Sequence, residues 1–242
     1  MEVRVVEDAG ALAVAAAAHV AEVVTQHPDA LVLAATGATP MGSYAELARL
    51  RQRGLLDASH IRVAQLDEYL GLAEDDPRSL YGWMDRALLT PLGIAAERVV
   101  RFWTDGNAAG AARAYDAEIA AAGGIELAIL GLGPNGHLGF NEPPSDADAP
   151  TRAVALTPET LNSNASYWQG DVPEQAVTAG MSVILSARRI LLLVSGERKT
   201  SILDRMLRSR PDPDLPGSFL HDHPGTLLLA DCQARPDAMP NA

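Results

Sequence analysis

The sequence predicts an α/β protein, a doubly wound and mainly parallel sheet with helices on both faces, and two observations carry that prediction. Short apolar runs alternate with helix-length segments along most of the chain, the pattern of strand–helix–strand units. The 242 residues contain no Pro/Gly/Ser-rich linker, so residues 1–242 fit a single domain.

Taken in order, residues 2–6 form a first strand, and Asp8 is placed to N-cap a helix ending near Thr25. His19 and Glu22 interrupt the Ala-rich part of that helix, which makes it too polar and too short to span a bilayer. The opening Met1-Glu2-Val3-Arg4 is charged and strand-like, unlike a secretory leader. Residues 31–35 read as the second strand, followed by the turn Thr36-Gly37-Ala38-Thr39-Pro40 and a helix ending near Arg53. Residues 61–66 are the third strand, then comes a polar segment over 67–78 and a helix over 80–92. Strands over 99–102, 125–130, 188–195 and 226–230, with helices over 108–122 and 197–208, complete the set. Pieces at 153–157 and 176–180 belong to a lid-like excursion over residues 152–181, and the Pro/Ala-ended C-terminus reads as frayed.

Charge and cysteine usage narrow the function. With 19 Lys+Arg against 31 Asp+Glu the formal net charge is −12, which argues against nucleic acid or an anionic membrane as partner. An anionic ligand must then be held by local cations or helix N-termini. A single cysteine, Cys232, excludes an internal disulfide, fits a cytoplasmic protein, and is expected to be a small buried hydrophobe beside the last strand.

Chemistry-bearing residues collect where strands end, and ligands of open α/β sheets bind at those carboxyl ends. The richest is Leu132-Gly133-Pro134-Asn135-Gly136-His137-Leu138-Gly139-Phe140-Asn141-Glu142-Pro143. Its glycines allow a sharp turn and close approach to a ligand, His137 can move a proton near neutral pH, and Glu142 can orient it. After the second strand, Thr36-Gly37-Ala38-Thr39 enters a helix N-terminus, where backbone N–H groups and the dipole suit phosphate or sugar oxygens. Alone, Thr39-Pro40 is also an ordinary N-cap with proline at the first helical position. After the third strand, Asp67 and Glu68 precede Tyr69; adjacent carboxylates in a partly dry pocket suit a general base, although such pairs are usually solvated. His221-Asp222-His223 has no third ligand nearby and reads as surface or capping residues, so no metal is expected. Trp83 and Trp103 are expected to pack helix and strand faces, and Trp168 to border the pocket mouth.

TGATP, QLDEYLGL followed by Pro77-Arg78-Ser79-Leu80-Tyr81, GPNGHLGFNEP, Thr151-Arg152 and SGERK occur in an order and spacing that resemble the glucosamine-6-phosphate deaminase (isomerase) family, related to the 6-phosphogluconolactonases. The resemblance runs from about residue 30 to 231, and the FNEP continuation belongs to the deaminase side. It implies conversion of an amino-sugar phosphate, glucosamine 6-phosphate first among them, to a ketose phosphate and ammonia, with no metal or organic cofactor. It implies Asp67 as the acid moving a proton between C2 and C1, His137 as the group assisting ring opening, and Glu142 as its carboxylate partner. Asn135 stands where some members have Asp, so an amide orients the imidazole without lending it charge. Gly37, Ala38 and Thr39 match the phosphate loop beside Thr36, with Ala38 in place of a usual glycine. Lys199 matches the phosphate lysine, and Glu68 and Gly136 fall among the substrate-binding positions. The partner implied is thus a small amino-sugar phosphate, and a homo-oligomer is allowed.

One departure bears on the substrate. Members carry an arginine after an Asn-Ala or Asn-Ser pair, whereas here Ser166 follows Asn164-Ala165, replacing a charged fork by one neutral hydrogen bond. Arg198, Arg188 and Arg189 are the nearest candidates to compensate, each read first as a surface cation. The position near Arg152 that serves allosteric control in some relatives is Val154, so that regulation is not expected. The departures leave open the same chemistry on another amino sugar, lactone hydrolysis with His137 as base, or a non-catalytic sugar-phosphate sensor.

Overall fold

The computed structural model describes residues 1–73, 75–103, 108–168 and 171–236. Among the described residues ten strands run β1 (Glu2–Val6), β2 (Leu31–Ala34), β3 (Arg62–Gln65), β4 (Asp67–Tyr69), β5 (Val99–Val100), β6 (Leu127–Gly131), β7 (Arg152–Ala155), β8 (Gln175–Thr178), β9 (Arg189–Val194) and β10 (Thr226–Asp231). The α-helices are α1 (Ala9–Gln26), α2 (Ala38–Gln52), α3 (Leu80–Met84), α4 (Thr90–Leu92), α5 (Ala108–Ala121), α6 (Pro158–Trp168), α7 (Met181–Leu185) and α8 (Thr200–Arg208). A π-helical turn, Asp85–Leu89, joins α3 to α4, so the helix expected over 80–92 is continuous but locally widened.

Seven strands form one sheet in the order β1-β10-β9-β6-β2-β3-β5, with every pairing parallel. Strand periodicity divides its side chains between two cores. Ile190, Leu192 and Val194 of β9 meet Tyr115 and Ile119 of α5 and Leu203 and Met206 of α8 on one face. Leu191 and Leu193 meet Leu12, Val20 and Val24 of α1 and Tyr44 and Leu47 of α2 on the other. Strands buried on both faces must be apolar throughout, which is why they read as continuous apolar runs. The same packing accounts for α1: by length and composition it could cross a membrane, yet its stripe Leu12, Ala16, Val20, Val23 and Val24 is buried in the protein. Its N-cap is Asp8, whose carboxylate accepts from Ala11 N at 2.8 Å.

The strand order reverses between β2 and β6: the chain leaves β2 toward β3 and β5, then returns to β6 and proceeds to β9 and β10. Connections diverging at that point leave a crevice above the carboxyl ends of β2 and β6. A second sheet, β4-β8-β7, is antiparallel and borders the crevice. The excursion expected over 152–181 supplies β7, α6 and β8 of this layer, apart from residues 169 and 170, which lie outside the described residues. The C-terminal end expected to fray likewise lies outside them from residue 237 onward.

Two expectations change. The segment over 67–78 does not begin as a loop, because Asp67–Tyr69 is β4, paired antiparallel with Thr178, Val177 and Ala176. Cys232 is exposed, not buried, because it lies one residue past the end of β10.

Candidate active site

The crevice is floored by the loops that leave β2, β3, β6 and β9. Thr36, Gly37, Ala38 and Thr39 line one end with Pro40 and Lys199; Asp67, His137, Gly133 and Phe140 line the rest. Gly37 adopts φ 131°, which favours glycine, and it opens directly into α2, so the first N–H groups of a 15-residue helix face the crevice end. The Tyr44 hydroxyl donates to Ala35 O at 2.8 Å, fixing this loop from below.

Lys199, the only lysine in the chain, lines the same end and donates from Nζ to Leu132 O at 2.7 Å. Burial first, and the neighbouring Arg198 charge second, lower its ammonium from the ordinary range. The turn before it is held by Asp231, 1% exposed at the end of β10, whose carboxylate accepts from Ser195 Oγ at 2.5 Å, Gly196 N at 3.1 Å and Ala234 N at 2.8 Å. Neither Asp231 nor its role was legible locally, since the two loops meet only because β9 and β10 are neighbours.

Asp67 and Glu68 have opposite environments because successive strand residues point to opposite faces. Asp67 lines the crevice and is 7% exposed. Burial, reinforced by the charge of Glu68, raises its carboxyl to about 8. Glu68 points away from the crevice into the protein. Its Oε1 accepts from Tyr69 N at 2.9 Å and Leu80 N at 2.8 Å. Its Oε2 accepts from Gln65 Nε2 at 2.9 Å, Ser79 Oγ at 3.0 Å and Tyr81 N at 2.8 Å. The expectation of Glu68 as a substrate ligand is therefore corrected: its lone pairs are used to bind α3 to β4.

The third group is an imidazole on a carboxylate. His137 Nδ1 lies 3.1 Å from Glu142 Oε2. Burial alone would raise Glu142, but hydrogen bonds from His137, Thr160 and Asn135 and the His137 charge outweigh it and hold the carboxyl at about 2. An ionised carboxylate only accepts, so Nδ1 carries the proton and Nε2 is the nitrogen left for a substrate. Asn135 acts differently from expected. Its Nδ2 donates to Glu142 Oε2 at 2.6 Å and its Oδ1 accepts from the His137 backbone N at 3.3 Å, so it fixes the carboxylate and the turn, not the ring. Gly133 is required by the ring: a Cβ there would stand 2.1 Å from His137 Cδ2 and 2.2 Å from Nε2.

Two further expected ligands do not line the crevice. Gly136 is turned behind the loop at φ 88°, where a Cβ would meet Leu215 at 2.3 Å, and its carbonyl accepts from Gly217 N. Ser166 is exposed on α6 and its hydroxyl donates to Ser163 O, because the helix turns Ser163, Asn164 and Tyr167 toward the crevice instead. Arg188 and Arg189 bond Glu126, just before β6 at the opposite end of the sheet, so neither can serve a crevice anion. Arg152 bonds Asn141 Oδ1 at 2.8 Å and Ser145 Oγ at 2.9 Å, bracing the loop that carries Glu142.

Tyr69, Leu80, Asn164 and Tyr167 line the crevice without having been singled out as ligands. Tyr69 Oη accepts from Asn164 Nδ2 at 2.9 Å and Trp168 Nε1 at 3.3 Å, which ties α6 to β4. The aromatic directly after Asp67-Glu68 was the available signal. Trp83 lines the crevice and packs edge-on against Tyr167 and Trp168, while Trp168 lies outside it. Trp103, expected to be packed inside, is 53% exposed under the Arg101 guanidinium. His221 and His223 bond the carbonyls of Met206 and Ala187, which are structural roles.

Residues 6–229 match the model of the glucosamine-6-phosphate isomerases/6-phosphogluconolactonase family. A glucosamine-6-phosphate deaminase of Streptomyces avermitilis is 39% identical over 237 residues, covering 96% of this chain and 90% of that protein. One of Rhodopirellula baltica is 38% identical over 234 residues, covering 96% and 93%. The solved structure of a monomeric glucosamine-6-phosphate deaminase superposes with a TM-score of 0.94 at 34% identity, over 97% of this chain and 98% of that one. A 6-phosphogluconolactonase from Leishmania guyanensis shares the fold, with a TM-score of 0.77 at 23% identity over 99% of each chain.

Proposed function

The chain belongs to the glucosamine-6-phosphate isomerase/6-phosphogluconolactonase family, and we propose that it is a glucosamine-6-phosphate deaminase, turning glucosamine 6-phosphate and water into fructose 6-phosphate and ammonia. The observation that carries the reading is a buried carboxyl, Asp67, in the same crevice as an imidazole locked on an ionised carboxylate. Lactone hydrolysis needs one base for water; isomerisation needs a second group that carries a proton between adjacent carbons.

The phosphate binds at Thr36–Thr39 and Lys199, which fixes the sugar with its other end toward Asp67 and His137. His137 Nε2 moves the proton between the anomeric hydroxyl and the ring oxygen, and Glu142 stabilises the ring while it is charged. Asp67, ionised opposite the substrate ammonium, takes the C2 proton and returns it to C1. The nitrogen-bearing C2 becomes an imine, water adds, and ammonia leaves as the ketone forms. Segment 152–181 acts as a lid over this single domain, and the enzyme works in the cytoplasm in amino-sugar breakdown.

Ammonia release from glucosamine 6-phosphate, measured beside free glucosamine and 6-phosphogluconolactone, tests the reading. Turnover of the first substrate is expected to exceed the other two by orders of magnitude. Hydrolysis of the lactone without deamination would overturn it, and preference for free glucosamine would reassign the substrate.

A further inference from the structure

A phosphate monoester carries about −1.5 to −2 charges at pH 7. Against it the crevice sets, among the described residues, one side-chain cation, Lys199, and the partial charge of about +0.5 at the start of α2. The surrounding chain has a net charge of −12, and the Asp67 and Glu142 carboxyls stand in the same site. The charge complement is short by up to about half a unit even before that background is counted. A second cation would close the difference.

The arginines around the crevice can be sorted by what already holds them. Arg78 bonds Asp76 at 2.8 Å and Asp171 at 2.7 Å. Arg152 is held by Asn141 and Ser145, and Arg188 and Arg189 are held by Glu126 at the far end of the sheet. Arg86 differs: among the described residues its guanidinium has no carboxylate or carbonyl partner within bonding distance. It borders a surface hollow with Trp83, Tyr167 and Trp168, and two of these three, Trp83 and Tyr167, also line the crevice. Helical side chains lean toward the N-terminus of their helix, and here the lean is visible. A Cβ on Gly82 would lie 3.2 Å from Arg86 Nη1, so the guanidinium runs back one turn over Gly82, toward the crevice end of α3. Gly82 supplies the room for it.

We propose that Arg86 is a specificity-determining residue that supplies the second cation for the substrate phosphate, reaching it over the Trp83–Tyr167 edge of the crevice. The Trp83 and Tyr167 rings, 5.4 Å apart, give the guanidinium an apolar wall on which it is less solvated than in open water. Its planar fork matches phosphate oxygens in a way that the point charge of Lys199 does not. The inference rests on the deaminase reading for its substrate but concerns only how the anionic end is held.

Arg86→Ala and Arg86→Lys test it, with Arg198→Ala, the cation next to Lys199, as the competing assignment. Arg86 is exposed, so an unchanged melting midpoint is expected in its variants. Arg86→Ala should raise KM for glucosamine 6-phosphate about ten-fold with kcat nearly unchanged, equal to about 1.4 kcal/mol of binding. Arg86→Lys should recover part of it. The Kd of inorganic phosphate, measured by calorimetry on the unliganded protein, should rise in parallel, and this arm needs no turnover. Unchanged KM and phosphate affinity in Arg86→Ala, or a loss confined to Arg198→Ala, overturns the assignment. A wild type that binds phosphate through Arg86 but does not deaminate would overturn the deaminase reading alone.

Discussion

Replacing Asp67 by Asn should abolish turnover and at the same time stabilise the fold, by an amount that depends on pH. The carboxyl is buried, and burial with the Glu68 charge raises it from the ordinary 3.8 to about 8. Between those values the folded protein keeps a proton that the unfolded chain releases, so rising pH favours unfolding across the whole window. At about 1.4 kcal/mol per pH unit, the interval from 3.8 to about 8 sets an upper bound of about 6 kcal/mol on this cost. It is absent below pH 4 and complete above pH 8. Asn keeps the shape and removes the titration, so Asp67→Asn should melt at the same temperature as wild type near pH 4 and progressively higher toward pH 8. Recovery of even a third of the bound, about 2 kcal/mol, moves the midpoint by roughly 4–8 °C in a chain of this size. Turnover should fall by ~10²–10⁴, because an amide cannot accept a carbon-bound proton. Calorimetric melting from pH 4 to 9 and ammonia release on the same samples are the assays. A melting difference independent of pH would refute the buried-carboxyl argument, and near-wild-type turnover would remove Asp67 from the chemistry.

The remaining expectations concern groups that act on the site through others. Glu68→Gln must turn its amide N–H toward either the Tyr69 and Leu80 N–H groups or the Gln65, Ser79 and Tyr81 donors, so at least two bonds are lost and stability should fall by ~2–4 kcal/mol. The same change removes a charge that raises Asp67, so the rising limb of kcat/KM, controlled by ionisation of the base, should move to lower pH; an unmoved limb refutes the coupling. Gly133→Ala places a methyl within 2.5 Å of three imidazole atoms and should cost at least about 10²-fold in kcat by displacing His137, with a loss in melting temperature too small to explain it. Asp231→Asn weakens the bonds holding the Ser195-Gly196 turn and should raise KM for glucosamine 6-phosphate severalfold while sparing kcat; equal falls in both would argue for a role in chemistry.

The apolar runs over β2, β6, β9 and β10 announce a doubly wound parallel sheet because a strand covered on both faces has no polar side to show. The same locality made the His137 loop and the Thr36–Thr39 turn legible, since their glycines, imidazole and hydroxyls lie within a few residues of a strand end. What the sequence could not resolve was direction. Asp67 and Glu68 are adjacent and chemically alike, and only the pairing of β4 with β8, over a hundred residues away, turns one toward the crevice and the other into the α3 N-terminus. Ser166 and Tyr167 likewise differ by one residue, and the docking of α6 on Tyr69 through Asn164 and Trp168 decides that Tyr167 faces the cavity. Asp231 gains its hold on the Lys199 turn from the adjacency of β9 and β10. Residue type and local periodicity therefore determine which chemistry is available and where each strand ends. Which of two neighbouring side chains reaches the substrate depends on long-range pairing, because in a strand or a helix a shift of one residue reverses or rotates the face presented.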